Sequence, residues 1–176
     1  MTPRLFLVRH GRSTMDRDRP PHEWGLDPAG LAAIDDLRDS GRLPGLAAWF
    51  SSAEPKALQT ARRLTDAEVV VEPALGEHER HTTHWFADPA DFRAAVRRAF
   101  DRPEEPAVSG WEPLSATRDR VIPAVRRILD EHAGSDVVLV GHGTAWTLLV
   151  AELTAQEPDL EAWARLRMPD LWVLGR

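Results

Sequence analysis

The segment 137-VVLVGHG-143 decides the fold class, because it joins a continuous apolar run to an abrupt stop. Four aliphatic side chains followed by Gly141 are typical of a strand that is buried on both faces, as in a parallel sheet. The glycines on either side of His142 let a ligand approach the backbone closely. The segment 5-LFLVRHG-11 has the same arrangement, with His10 and Gly11 after an apolar run. Two predicted buried strands therefore each end at a histidine beside glycine.

Short predicted strands alternate with predicted amphipathic helices along the rest of the chain. Strands are predicted at residues 5–9, 47–51, 69–71, 136–141 and 171–174, and helices at 54–64, 90–100, 115–132 and 144–153, with one more that opens at Asp27 and ends before Gly41. This alternation predicts an α/β fold, a three-layer sandwich with a mainly parallel central sheet and helices on both faces. Such sheets bind ligands beyond the carboxyl ends of their strands, where both histidines are expected.

The composition excludes several classes of function. The 176 residues, 43% of them hydrophobic, predict one globular domain over residues 1–176. A formal net charge of −6 argues against a nucleic-acid partner or a membrane-surface partner. The chain has no cysteine, which excludes a disulfide framework, a thiolate nucleophile and a cysteine-bound metal. No segment has the pattern of a signal peptide or a membrane span, so a cytoplasmic setting is expected.

The two histidines at matching strand ends fit phosphoryl transfer through a phosphohistidine. A neutral imidazole attacks phosphorus, while cations such as Arg9 hold the phosphoryl oxygens. A single histidine in such a place is as well explained by packing, since histidine has an intermediate tendency to be buried. The pair, His10 and His142, favours the chemical interpretation.

The order of four blocks resembles the histidine phosphatase superfamily, which is also called the phosphoglycerate mutase-like family. The blocks are 7-LVRHGRST-14, 51-SSAEPKALQTA-61, 75-LGE-77 with the later 110-GWE-112, and 140-VGHG-143. The resemblance covers about residues 4–150 and implies the fold of that family. It also implies a metal-independent phosphomonoesterase that acts on a small phosphate ester, releases inorganic phosphate and needs no cofactor.

The resemblance implies a role for each matching residue. His10 is implied as the nucleophile, Glu77 as the general acid and base, and His142 as the second catalytic histidine. Phosphate contacts are implied for Arg9, Gly11, Lys56, His142 and Gly143, and substrate contacts for Arg12, Asp16, His78 and Arg80. Glu79 lies two residues after Glu77 and is an alternative acid.

Lys56 departs from the family pattern, because most members carry arginine there. It is the only lysine among 22 basic residues. An ammonium is a point charge and cannot bind two oxygens side by side as a guanidinium does. Lys56 therefore indicates a bacterial branch of the family with lysine in place of the second phosphate-binding arginine. Asp16 and Arg12 also depart from the family, and Asp16 is expected to pair with Arg12 or Arg17 or to select a cationic substrate.

Three classes of function stay open. A phosphomonoesterase is favoured, phosphoglycerate mutase-type phosphoryl transfer is the first alternative, and a weakly active or non-catalytic module that binds a phospho-ligand is the second. A metal site is not expected, because His78, His81 and His84 lie in a predicted loop, where their spacing does not place them on one side. The sequence does not predict the oligomeric state or the identity of the substrate.

Overall fold

The computed structural model describes residues 2–82 and 85–175, which form helices around a five-stranded mixed sheet. The strands are β1 (Arg4–Arg9), β2 (Ala48–Ser51), β3 (Val69–Val71), β4 (Val137–Gly141) and β5 (Asp170–Gly175). Their order in the sheet is β3-β2-β4-β1-β5. The first four are parallel to one another, and β5 is antiparallel to β1. The prediction of a mainly parallel sheet is confirmed.

The helices lie on both faces of the sheet, as the period-2 alternation of a strand requires. They are α1 (Leu31–Asp39), α2 (Pro55–Leu64), α3 (Pro89–Asp101), α4 (Leu114–Glu131), α5 (Gly143–Thr154) and α6 (Leu160–Ala164). Leu5 and Leu7 pack in one cluster with side chains of α4 and α5. Phe6 and Val8, which alternate with them along β1, pack in a second cluster with side chains of α1 and α2.

The start of one predicted helix differs from the structure, and one short helix was not predicted. The helix expected to open at Asp27 is preceded by a single 3-10 turn, Pro28–Gly30, and α1 starts only at Leu31. The Asp27 side chain accepts a hydrogen bond from the N–H of Ala29, so it caps this turn as an N-cap residue does. Helix α6, five residues long, is not predicted by the sequence pattern.

The carboxyl ends of the three central strands meet at one edge of the sheet. Arg9 of β1 is paired with Gly141 of β4, and the N–H of His10 donates to the carbonyl oxygen of Gly141 at 2.9 Å. The N–H of Ser52, just after β2, donates to the carbonyl oxygen of Val140 at 3.0 Å. This register brings His10, His142 and Ser52 together although they are far apart in the chain. In the described part of the chain, no helix has the length and apolar character needed to cross a membrane.

Candidate active site

His10 is held by its own neighbour in an orientation that fixes its tautomer. Its Nδ1 lies 2.6 Å from the carbonyl oxygen of Gly11, which can only accept a hydrogen bond, so Nδ1 carries the proton. The Nε2 atom is then the unprotonated nitrogen of the neutral ring. Burial lowers the pKa of His10 well below its ordinary range, and the nearby His142 and Lys56 lower it further. His10 is therefore a neutral imidazole near pH 7, with its lone pair on Nε2.

Gly11 supports His10 rather than offering its main chain to a ligand. The N–H of Gly11 donates to Thr60 Oγ1 at 2.9 Å, and its carbonyl oxygen is taken by His10. A Cβ atom at this position would lie 2.5 Å from Ile34 Cδ1, so the chain passes here too close to α1 for a larger residue. The implied phosphate contact of Gly11 does not use its N–H, because Thr60 already occupies it.

His142 lies against His10, with the ring centroids 5.2 Å apart and the rings edge to face. Its Nε2 is 2.9 Å from Ser52 Oγ and 3.3 Å from Glu54 Oε1. Its Nδ1 is buried and has no hydrogen-bond partner among the described residues. Burial lowers the pKa of His142, while the carboxylate of Glu54 opposes this change. The net direction is downward, so the ring of the free protein favours the neutral form.

Lys56 is buried at the start of α2, and its side chain is only 6% exposed. Its Nζ donates to Glu54 Oε2 at 2.6 Å and to the carbonyl oxygen of Pro21 at 2.5 Å. The ammonium has three N–H groups, so one is left for a ligand. A surface role for this lysine, the simplest alternative to phosphate binding, does not fit such burial.

Sequence reasoning missed Glu54, which the structure places in the middle of the site. Burial raises the pKa of Glu54, but His142 and Lys56 outweigh it, so the pKa is lowered and the group is ionised. The one signal in the sequence is its position two residues before the only lysine. That signal is weak, because an acid at the start of a helix is usually explained by the helix dipole.

Arg9 and Arg80 bring two buried guanidinium groups to the same region. Nη1 of Arg9 donates to the carbonyl oxygens of Leu166 and Arg167 at 3.0 and 3.1 Å. The guanidinium of Arg80 lies 4.6 Å from the centre of the Trp111 ring and 5.0 Å from that of Phe92. The two aromatic rings hold the charged plane without using its N–H groups.

Unpaired buried nitrogens point to an anion at this place. In residues 2–82 and 85–175, the buried side-chain nitrogens without a hydrogen-bond partner include Nε of Arg9, Nε of Arg80 and Nδ1 of His142. An unpaired buried donor is costly, and such groups are rare without a functional reason. A Cβ atom added to Gly143 would lie 3.3 Å from Arg9 Nε and 3.2 Å from Leu166 Cδ1, so glycine keeps this space open.

Glu77 and Glu79 occupy different environments. Glu77 accepts hydrogen bonds from the N–H groups of Thr144 and Ala145, at 3.1 and 2.9 Å, in the first turn of α5. Burial raises the pKa of Glu77, but Arg80, His142 and backbone N–H groups outweigh it and lower the pKa to about 2. Glu79 is exposed, and its carboxylate pairs with His81 at 2.7 Å. Of the two alternatives, the structure brings Glu77 to the site.

Arg120 stabilises the loop of Glu77 through hydrogen bonds to its main chain. This arginine donates to the carbonyl oxygens of Gly76 and Glu77 at 3.0 and 3.1 Å, and to Glu112 Oε1 at 2.8 Å. The N–H of Glu77 donates to Glu54 Oε1 at 2.8 Å. The position of the Glu77 carboxylate is therefore set by contacts on both sides of its main chain.

Three residues with implied substrate contacts lie outside this cluster. Arg12 is exposed and pairs with Asp27 at 2.8 Å, not with Asp16. Asp16 is half-buried in the following loop, and its Oδ1 accepts a hydrogen bond from the N–H of Asp18. His78 is 1% exposed, and its Nε2 lies 2.8 Å from the carbonyl oxygen of Glu112. It contributes to the site through its N–H, which donates to Glu77 Oε1 at 3.0 Å.

The histidine and acidic side chains that the structure describes form no candidate metal centre. Within the described ranges, no group of three or more histidine and acidic side chains is placed to hold a metal ion. His84, one member of the histidine cluster noted in the sequence, lies outside the described residues.

The model of the histidine phosphatase superfamily, branch 1, matches residues 5–173. The chain belongs to this superfamily. The match takes in β2, β3, β4 and most of β1 and β5, as well as the loops that carry His10, Glu54, Glu77 and His142. None of the curated proteins matches the chain significantly.

Solved structures of this superfamily share the fold of the chain. A mycobacterial glucosyl-3-phosphoglycerate phosphatase, determined with VO3, has a TM-score of 0.70 at 22% identity over 97% of this chain and 92% of that one. A mutant phosphoserine phosphatase from Entamoeba histolytica, in complex with phosphoserine, has a TM-score of 0.74 at 15% identity over 97% and 89%. YhfR from Bacillus stearothermophilus has a TM-score of 0.67 at 25% identity over 89% and 82%.

Proposed function

We propose that this histidine phosphatase is a metal-independent phosphomonoesterase that forms a phosphohistidine on His10. The observation that carries the proposal is the contact of His10 Nδ1 with the carbonyl oxygen of Gly11, 2.6 Å long. This contact leaves Nε2 as a free base beside the buried charges of Arg9 and Lys56. A neutral nucleophile next to cations is what attack on an anionic phosphoryl group requires.

The reaction proceeds in two steps at phosphorus. His10 Nε2 forms a bond to phosphorus, and the bond from phosphorus to the leaving oxygen of the ester breaks. A water molecule then attacks the phosphorus, the bond to Nε2 breaks, and inorganic phosphate leaves with the imidazole restored. Arg9, Lys56 and a protonated His142 hold the non-bridging oxygens through both steps.

Glu77 moves the protons in both steps. It protonates the leaving oxygen in the first step and takes a proton from the attacking water in the second. In the free protein it is a carboxylate, because Arg80 and the backbone donors keep its pKa near 2. The charge of a bound phosphoryl group raises this pKa, since it lies close to the carboxylate and competes with it for Arg80.

Two of the solved structures support a phosphate ester as the class of substrate. The proteins they show are called phosphatases, one for glucosyl-3-phosphoglycerate and one for phosphoserine. We expect a small phosphate ester for this chain as well, and neither a nucleic acid nor a membrane as partner. Phosphoglycerate mutase-type transfer is less favoured, because no feature of the described site selects a second phosphoryl group.

The replacement of His10 by alanine tests the proposal. We expect kcat/KM for an aryl phosphate to fall by roughly 10³-fold or more, because the nucleophile is lost. His132→Ala is the matched control, since His132 lies just after α4 at the opposite edge of the sheet. Radiolabelled substrate, quenched in base, should leave label on the unaltered protein and none on the variant. Unchanged turnover by the His10 variant would disprove the mechanism.

Two observations favour the binding module as a second candidate. The low pKa of Glu77 makes it a weak proton donor in the free protein, and the ammonium of Lys56 already has two partners. Tight binding of inorganic phosphate without hydrolysis of any ester would favour this second function. Lys56 in place of arginine also remains the basis for proposing a separate bacterial branch.

A further inference from the structure

Glu54 places a carboxylate where an anionic substrate is expected to bind. Its side chain is 12% exposed, and it stands at the N-cap position of α2 without capping the helix. A negative charge near a phosphoryl group is unfavourable in a site that excludes water. The contacts of its two carboxylate oxygens explain why this negative charge is stable in the site.

Each oxygen of Glu54 contacts a different part of the site. Oε2 accepts from Lys56 Nζ at 2.6 Å. Oε1 accepts from the N–H of Glu77 at 2.8 Å and lies 3.3 Å from His142 Nε2. One buried carboxylate therefore connects the lysine of α2, the loop of Glu77 and the histidine that follows β4.

The contact with His142 determines what that ring can donate. His142 Nε2 lies 2.9 Å from Ser52 Oγ, which can donate or accept, and 3.3 Å from Glu54 Oε1. An ionised carboxylate only accepts hydrogen bonds, so Glu54 favours a proton on Nε2. Nδ1, which is buried and has no partner among the described residues, becomes a donor only when the ring takes up a second proton. The charged groups that act on the ring most strongly are Glu54, Lys56, Glu77 and Arg9. Of these, the two carboxylates favour the second proton, and Glu54 is the one in contact.

We propose that Glu54 is a positioning residue of the phosphoryl site, which orients the ammonium of Lys56 and stabilises the doubly protonated form of His142. In that form Nδ1–H of His142 donates to a phosphoryl oxygen, while Nε2–H faces Ser52 Oγ and the carboxylate of Glu54. The binding of a phosphoryl dianion is thereby coupled to the uptake of one proton. This role rests on the proposed function, because it concerns the same anion site.

The Glu54→Gln variant separates this role from a purely structural one. We expect the affinity for inorganic phosphate at pH 7 to fall about tenfold to hundredfold, the value of one charge-assisted hydrogen bond. Glu68→Gln is the matched control, since Glu68 is exposed and lies between α2 and β3. Calorimetry in buffers of different ionisation enthalpy should show that the wild type takes up more protons on binding than Glu54→Gln does.

A second variant, Glu54→Asp, covers the case in which Glu54→Gln does not fold. Glu54→Asp keeps the charge on a shorter side chain, and we expect it to retain proton uptake and to bind phosphate more weakly than the wild type. Unchanged proton uptake in Glu54→Gln, or equal phosphate affinity in that variant and the wild type, would overturn the inference. Because the probe is inorganic phosphate, this result is independent of turnover. Unchanged turnover by the His10 variant would therefore count against the proposed mechanism without changing the measured phosphate affinity of Glu54→Gln.

Discussion

The ionised state of Glu77 can be tested by its replacement with glutamine, which keeps the shape and removes the charge. Burial acts to raise the pKa of Glu77, but Arg80, His142 and two backbone N–H groups lower it from 4.5 to about 2. A difference of about 2.5 units between unfolded and folded chain corresponds to about 3 kcal/mol in the free energy of unfolding. This value is the largest effect that the structure allows for the charge.

The pH dependence of this stabilisation follows from the lowered pKa of Glu77 in the folded protein. The stabilisation is present in full above the unfolded pKa of 4.5 and is lost as the pH falls toward 2. We expect Glu77→Gln to unfold more easily than the wild type by about 3 kcal/mol at pH 7, and by about half of that at pH 3. Urea denaturation at both pH values measures the two differences.

Glu79→Gln is the matched control, because it removes the same charge two residues further along the chain. Its carboxylate is exposed and makes only a surface ion pair with His81. We expect the free energy of unfolding to change by less than about 0.5 kcal/mol. The reasoning is refuted if the two variants are equally destabilised, or if the effect of Glu77→Gln does not depend on pH.

Three further predictions concern packing and charge. Lys56→Met leaves Glu54 buried without its cation and should lower the free energy of unfolding by about 3–5 kcal/mol; the double variant with Glu54→Gln should recover most of this in urea denaturation. Gly141→Ala places a Cβ atom 2.5 Å from the Trp146 ring, and thermal unfolding should show a loss of about 1–3 kcal/mol. Since burial and nearby charges lower the pKa of His10, the acid limb of kcat/KM for an aryl phosphate should lie below pH 6.5, and a limb above that value would contradict the assignment.

The sheet was predictable because its signals are local in the sequence. The four apolar residues after Asp136 indicate a strand that is buried on both sides, and the helices between the strands show the 3.6-residue period. The direction of β5 was not predictable, since an antiparallel edge strand has the same local pattern as a parallel one. Helix α6 is too short, at five residues, to show a period at all.

The candidate site was predictable only in the parts that strand register controls. His10 and His142 follow adjacent parallel strands, so their meeting is a consequence of the sheet. Glu54 and Arg80 reach the site through loops. No local sequence pattern predicts which carboxylate lies beside which cation. The phosphate contact of Lys56 stays a prediction that the family resemblance implies, whereas its carboxylate partner required the folded chain.

The burial of Lys56 has a practical consequence for protein chemistry. The chain contains one side-chain amine, and the fold covers it almost completely. Reagents that acylate amines should therefore modify the folded protein at the α-amino group and spare the side chains. Acylation of Lys56, seen as a second mass shift after that of the α-amino group, would report the exposure of this buried side chain.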